Sequence, residues 1–246
     1  MNHVCSMGLV QHCFTNNATS MRYGGVMSGF QRARSAEAKQ QRDRAILDAA
    51  QVLASRDGIR SVTLTGIAQE IGMHKSALLR YFETREQIFL RLAAIQWAEW
   101  GPEVSLGIAP LHEAEQVGDV IARSLTDRPF FCDLLAHVPL SLERNVSIDS
   151  VRAYKLVTHQ EIDRISGALR TVFPELIEQD GIDVISATIS TAGAMWQMST
   201  PGEVLAGIYR SDPRLGHAVI DLRPTLARII TAVIVGLRQA RRMTPS

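Results

Sequence analysis

Lys75, Ser76, Arg80 and Tyr81 bring an ammonium, two hydroxyls and a guanidinium together within two helical turns. Such donors suit phosphate oxygens and the edges of bases. His74 adds an imidazole before them and Arg85 a second guanidinium after them. Donors read a duplex only when a small rigid element holds them, and the stretch Leu64 to Phe82 has the pattern of one. Ile67, Ala68 and Ile71 share a face at 3- and 4-residue spacing, and Leu78 and Phe82 form a second apolar stripe. Gly72 stands between the stripes, where a residue tolerant of positive φ ends one helix and lets the next start at a steep angle after Met73. Two short helices joined in this way predict a helix-turn-helix suited to the DNA major groove.

Two other functional classes compete with this reading. An enzyme would need a nucleophile, an acid-base pair or a cofactor loop, and the chain has no G-x-S-x-G elbow, P-loop, G-x-G-x-x-G or H-E-x-x-H. His112, His137, His159 and His217 are scattered and read as surface or satisfied core residues. His3, Cys5, His12 and Cys13 match no zinc framework, so neither a metal nor another cofactor is expected. A non-specific DNA-compacting protein would carry a stronger basic excess than the net +1 of this chain. An ordinary helical hairpin remains the bland alternative, and the outward donors weigh against it.

The longer run from Ile46 to Leu92 resembles the N-terminal domain of TetR-family transcriptional regulators. Ile46, Leu47, Ala49, Ala50 and Leu53 resemble the first-helix core, Gly58 its stop, and Thr63 the cap of helix two. Tyr81-Phe82 resembles the aromatic end of the recognition helix, and Arg85-Glu86 the pair opening helix four. Four positions depart from the family pattern. Gly66 stands where a charged residue is common, His74 where a serine caps, Leu79 where a tyrosine is usual and Glu83 where a proline is frequent. Operator preference therefore does not carry over from a relative.

Length and charge divide the chain. With 246 residues, 46% of them apolar, there is material for a second core beyond one helical DNA-binding unit. Residues 28–90 hold ten Lys+Arg against seven Asp+Glu, a balance of +3, and 91–246 hold fifteen against eighteen, a balance of −3. The basic side falls with the helix-turn-helix. Residues 1–35 are expected to form a disordered extension, 36–90 the DNA-binding domain, and 91–246 an all-helical domain. The first 27 residues lack the basic start and apolar run of a secretory signal, which predicts a cytoplasmic protein, and Met27 is a possible alternative start. The polar stretch Ser28 to Arg44 reads as a mobile arm leading into helix one. Cys132 stands alone in the folded body, as a small core residue in a reducing compartment.

Beyond Leu92 no segment alternates with period two, so the fold class is all-α. Helices are expected over 85–100, ending at Gly101-Pro102, and over 111–126, 129–143, 147–173, 181–199 and 222–241. The last helix is apolar on several faces, with Leu226, Ile229, Ile230, Val233, Ile234 and Leu237. Its expected partner carries Ile185, Ile189, Ala192 and Trp196 on one side, and Ala187, Ser190, Thr191 and Ala194, small enough for close approach, on another. Ile185, Ile189, Leu226, Ile230, Val233, Ile234 and Leu237 are accordingly expected at a homodimer interface. The uncharged stretch Val184 to Gly202 holds too many Ser, Thr and Gln residues to span a membrane.

The resemblance implies more. Lys75, Ser76, Ala77 and Leu79 would face base edges, and Thr63, Thr65, His74, Arg80, Tyr81 and Arg85 would fix phosphates. A dimer would read a palindromic operator as two half-sites about 34 to 36 Å apart, or at a related spacing. Each subunit would hold a ligand pocket whose occupancy alters the separation of the recognition helices. Trp97, Trp100, Phe130, Phe131, His137, Tyr154, Met195 and Trp196 are the candidate walls, matched to a small apolar or aromatic effector.

Overall fold

A computed structural model of the protein describes residues 27–218 and 220–243, and all regular structure among them is helical. The elements are α1 (Met27–Asp57), a 3-10 turn (Ile59–Ser61), α2 (Leu64–Glu70), α3 (Lys75–Leu78), α4 (Arg85–Ile108), α5 (Ala114–Thr126), α6 (Pro129–His137), a π turn (Val138–Leu142), α7 (Ile148–Val172), α8 (Glu178–Ser199), α9 (Glu203–Ser211), a 3-10 turn (Pro213–Ala218) and α10 (Leu222–Met243). His3, Cys5, His12 and Cys13 lie outside the described residues. The extension expected over 1–35 is helical from Met27 onward, where Gln, Arg, Ala and Lys are strong helix formers.

In the N-terminal part Ile46, Leu47, Ala49, Ala50 and Leu53 of α1 are buried in a core with Ile59, Ile67, Leu78 and Phe82. α4 leaves that core and runs into the second domain without the break expected at Gly101-Pro102. Proline inside a helix costs about 3 kcal/mol. Val104 and Ile108 beyond it are buried, each worth about 1.5–3 kcal/mol, and the Ser105 hydroxyl donates to the Gly101 carbonyl at 2.7 Å. Burial outweighs the lost hydrogen bond. Gly101 also lets α7 approach, since an added Cβ would lie 2.3 Å from Glu161 Oε2. Burial there pushes the Glu161 carboxyl up, against the pull of Arg164.

The second domain packs α4 on α7, α5 on α10 and α6 on α8. Trp97, Trp100 and Phe131 are fully buried, with ring centroids 5.3 to 5.7 Å apart, and Trp97 meets both neighbours edge to face. The Trp100 indole donates to Ser124 Oγ at 2.9 Å. Cys132 is buried and its thiol is pushed up to about 12, consistent with a core residue. The helix expected over 129–143 is α6 followed by a π turn through Pro139, and α9 was not anticipated.

The expected dimer surface needs correction. Leu226, Ile230 and Ile234 are buried in α10, which packs on both α5 and α8, and Ile185 is buried in α8. Contact is close enough that a Cβ on Gly118 would lie 2.3 Å from Thr231 Oγ1. These four residues belong to the core of one subunit. Ile189, Val233 and Leu237 are half-buried and keep some surface for a partner.

One buried carboxylate ties the last two long helices together. Asp180 accepts from the Ile177 amide at 2.9 Å, capping α8, and receives Arg241 of α10 through two bonds of 2.8 and 2.7 Å. Arg241 beside it holds the carboxyl below its usual value of 3.8. The bond is therefore intact above that value and is lost as pH falls through the lower folded value. Asp180→Asn should cost about 1.5–3 kcal/mol at pH 7, read by urea unfolding, with the gap to the parent protein closing in acid. Ile230→Asp should abolish cooperative folding, because it buries an unpaired charge. A folded monomer of that variant in ultracentrifugation with circular dichroism would return Ile230 to a subunit interface.

Candidate nucleic-acid interface and a neighbouring cavity

Thr63 opens α2 in an extended conformation, and its hydroxyl accepts from the Gly66 amide at 3.0 Å. α2 ends as the sequence demands. Gly72 takes φ +64°, its amide bonds the Gln69 carbonyl at 3.1 Å, and the Met73 amide bonds the Ala68 carbonyl at 2.7 Å. Those two bonds form a Schellman stop, which closes the orphan carbonyls and turns the chain. His74 then caps α3 by backbone only, with no side-chain bond, so the imidazole is left exposed. α3 is shorter than the stripe to Phe82 implied. After Leu78 the chain tightens, with Arg80 and Tyr81 bonding three residues back, and Phe82 closes it with a bond to the Leu78 carbonyl at 3.2 Å. Leu78 and Phe82 are the buried anchors.

These anchors leave Thr63, Thr65, His74, Lys75, Ser76, Leu79 and Arg80 exposed, and Ala77 and Tyr81 half-buried. Among the described residues no ion pair engages Lys75 or Arg80. Their charges face outward, and Leu79 adds an apolar side chain to the same surface.

Arg85 differs from the other expected phosphate donors. Its guanidinium donates to the Ile59 carbonyl at 2.9 Å and to Glu86 at 2.9 Å, and lies 5.3 Å from the Phe89 ring centroid. It fastens the turn after α1 to the start of α4. The backbone of Ile59 is held on its N–H side too, since the Ile59 amide donates to Asp133 Oδ2 of α6 at 3.3 Å. Asp133 Oδ1 accepts from Gln197 Nε2 of α8 at 2.7 Å, and His137 Nδ1 lies 3.3 Å from the same oxygen. Burial raises the Asp133 carboxyl, but the bonds from His137, Ile59 and Gln197 outweigh it and hold the group below its usual range. His137 is raised, chiefly by its bond to Asp133. Nothing in the spacing of Ile59, Asp133 and Gln197 announces this meeting.

A cavity of about 670 Å³ opens between α6, the π turn, α7 and α8. Leu135, Val138, Ile162, Ile182 and Ile189 supply much of its apolar wall, and Ser190, Ala194 and Gln197 its α8 edge. Lys155 Nζ lies 2.6 Å from Glu143 Oε1 on the same lining. Of the eight expected wall residues, Tyr154 lines this cavity. Trp97, Trp100 and Phe131 are instead packed on one another, Met195 is buried, and His137 is turned to Asp133. Phe130 and Trp196 are half-buried outside the lining. The signal for the wall was present in Ser190 and Ala194, small residues that the sequence reading assigned to close helix approach.

Among the described residues no cluster of His, Cys, Asp and Glu is arranged to hold a metal, and no helix is long and apolar enough to cross a membrane.

Comparison with known proteins matches residues 46–92 to bacterial regulatory proteins of the tetR family and residues 95–241 to the tetracyclin repressor-like C-terminal domain. A search of curated proteins finds no match. Among solved structures, a possible TetR family regulator from Streptomyces coelicolor A3(2) is 16% identical, with 80% of this chain and 99% of that one covered and a TM-score of 0.53. FadR from Bacillus subtilis, solved in complex with stearoyl-CoA, is 16% identical over 78% of this chain and 97% of its own, with a TM-score of 0.52. The fatty acid degradation regulator FadR from Bacillus halodurans is 12% identical over 78% and 97%, with a TM-score of 0.51. With both domain models together running from residue 46 to 241 and a helix-turn-helix at the front, the chain belongs to the TetR family of DNA-binding transcriptional regulators.

Proposed function

We propose that the protein is a cytoplasmic, ligand-responsive repressor that binds a palindromic operator as a homodimer and is released by a small apolar or amphipathic effector. The observation that carries this reading is the exposed donor surface of Lys75, Ser76 and Arg80 on a turn whose carbonyls are closed at Gly72. Lys75, Ser76, Ala77 and Leu79 would meet base edges. Thr63, Thr65, His74, Arg80 and Tyr81 would hold phosphates. Arg85 acts from behind, as a positioning residue for the turn at Ile59. In this division residues up to about 90 bind DNA and the remainder bind effector and partner.

The cavity beside Tyr154 supports the effector half of the reading. Its walls are mainly apolar and its lining also carries Glu143, Lys155, His159, Asp163 and Gln197, a combination suited to a ligand with a long apolar part and a polar end. The stearoyl-CoA bound to the Bacillus subtilis protein is of that chemical kind. Induction then follows from population shift, since an effector releases DNA only by binding the incompatible conformer better, on the usual scale of about 1 to 3 kcal/mol.

Selection from random duplex DNA with the full-length protein tests the DNA half. The expected result is a palindrome bound with strong preference over random duplex. Lys75→Ala and Arg80→Ala should each weaken binding to it, by about 1–3 kcal/mol where the side chain reads a base, with unchanged melting temperature. Equal affinity for all sequences, or undiminished binding by both variants, would contradict the assignment.

A further inference from the structure

The hydrogen bonds around Asp133 join the cavity to the helix-turn-helix by a route that does not run along α4. Gln197 is a lining residue of the cavity, and its amide donates to Asp133 Oδ1 at 2.7 Å. The other carboxylate oxygen accepts the Ile59 amide at 3.3 Å, 74 residues earlier in the chain. Ile59 is fully buried and opens the 3-10 turn that leads through Val62 to the Thr63 cap of α2. Displacement of Gln197 therefore changes what Asp133 can offer Ile59. About 14% of the Asp133 side chain is exposed, and its bond to the Ile59 amide is partly buried while the bond from Gln197 is open to solvent.

We propose that Gln197 and Asp133 form a relay that reports occupancy of the cavity to Ile59 and thereby sets the pose of the helix-turn-helix. It rests on the reading that the cavity takes an effector. Asp133 and Gln197 are positioning residues, acting on DNA only through the turn at Ile59. Gln197 is exposed and contributes no core packing, so a role in stability alone gives no reason for its amide to be directed at Asp133. Ala194, which lines the same cavity one turn earlier on α8, is the position from which a bulky side chain would mimic an occupant.

The test is hydrogen exchange of the Ile59 amide in the full-length protein without DNA. Asp133→Ala should speed that exchange about three- to tenfold, the effect of losing one partly buried hydrogen bond. Asp133→Asn, which keeps an acceptor oxygen, should retain most of the protection. Ala194→Trp should speed exchange at Ile59 in the parent protein and add nothing in a Gln197→Leu background. If Asp133→Ala also loosens amides deep in α7, the two α8 substitutions decide, since both lie at exposed positions. Unchanged exchange in Asp133→Ala, or an equal response to Ala194→Trp with and without Gln197, would overturn the relay. Because DNA takes no part in this readout, an intact relay in a protein that selects no duplex would instead refute the operator-binding reading.

Discussion

The backbone of Ile59 is the constraint on which the rest of the arrangement depends. Its amide is bound by Asp133 from the second domain, and its carbonyl by Arg85 at the start of α4. A buried backbone amide left without a partner costs about 1–3 kcal/mol, and the carbonyl also accepts from the Val62 amide at 3.3 Å, so the turn has little freedom to reorient while these bonds persist. The helix-turn-helix hangs from this turn, since α2 starts a few residues later at Thr63 and α3 follows through the stop at Gly72. The sequence spends two charged side chains to hold one backbone unit. That is a structural use for Arg85, a residue that the family resemblance casts as a DNA contact.

The second domain separates two tasks that an aromatic-rich sequence does not distinguish. Trp97, Trp100 and Phe131 fill the interior and give it shape through edge-to-face packing. The space left over lies elsewhere, between α6, α7 and α8, where the π turn through Pro139 and small residues on α8 line it. An effector bound there would touch Gln197 directly and the tryptophans hardly at all.

Much of the DNA-binding half was legible before any coordinates. Gly72 announced a positive φ, Thr63 a cap, and the two stripes, with Ile67 and Ala68 on one and Leu78 and Phe82 on the other, the core, because each depends on local backbone chemistry or on helical period. The second half was legible as helices but less so as surfaces. Apolar residues on several faces of α10 suggested an interface, whereas Leu226, Ile230 and Ile234 are buried within the core of the same chain, where α10 packs on α5 and α8. Composition cannot distinguish those two kinds of burial. Pro102 misled for a related reason, since its local cost is real and is exceeded only by the tertiary burial of Val104 and Ile108. The relay was invisible because its members stand far apart in sequence and none belongs to a recurrent motif.

The most direct measurement of the central claim is a double-mutant cycle on Arg85→Gln and Asp133→Ala, read as affinity for the selected duplex. If both side chains act on DNA through the backbone of Ile59, the loss in the double variant will fall short of the sum of the two single losses by more than about 0.5 kcal/mol. Strict additivity would mean that Arg85 and Asp133 act independently, Arg85 on DNA itself, and the account of a shared joint at Ile59 would fail.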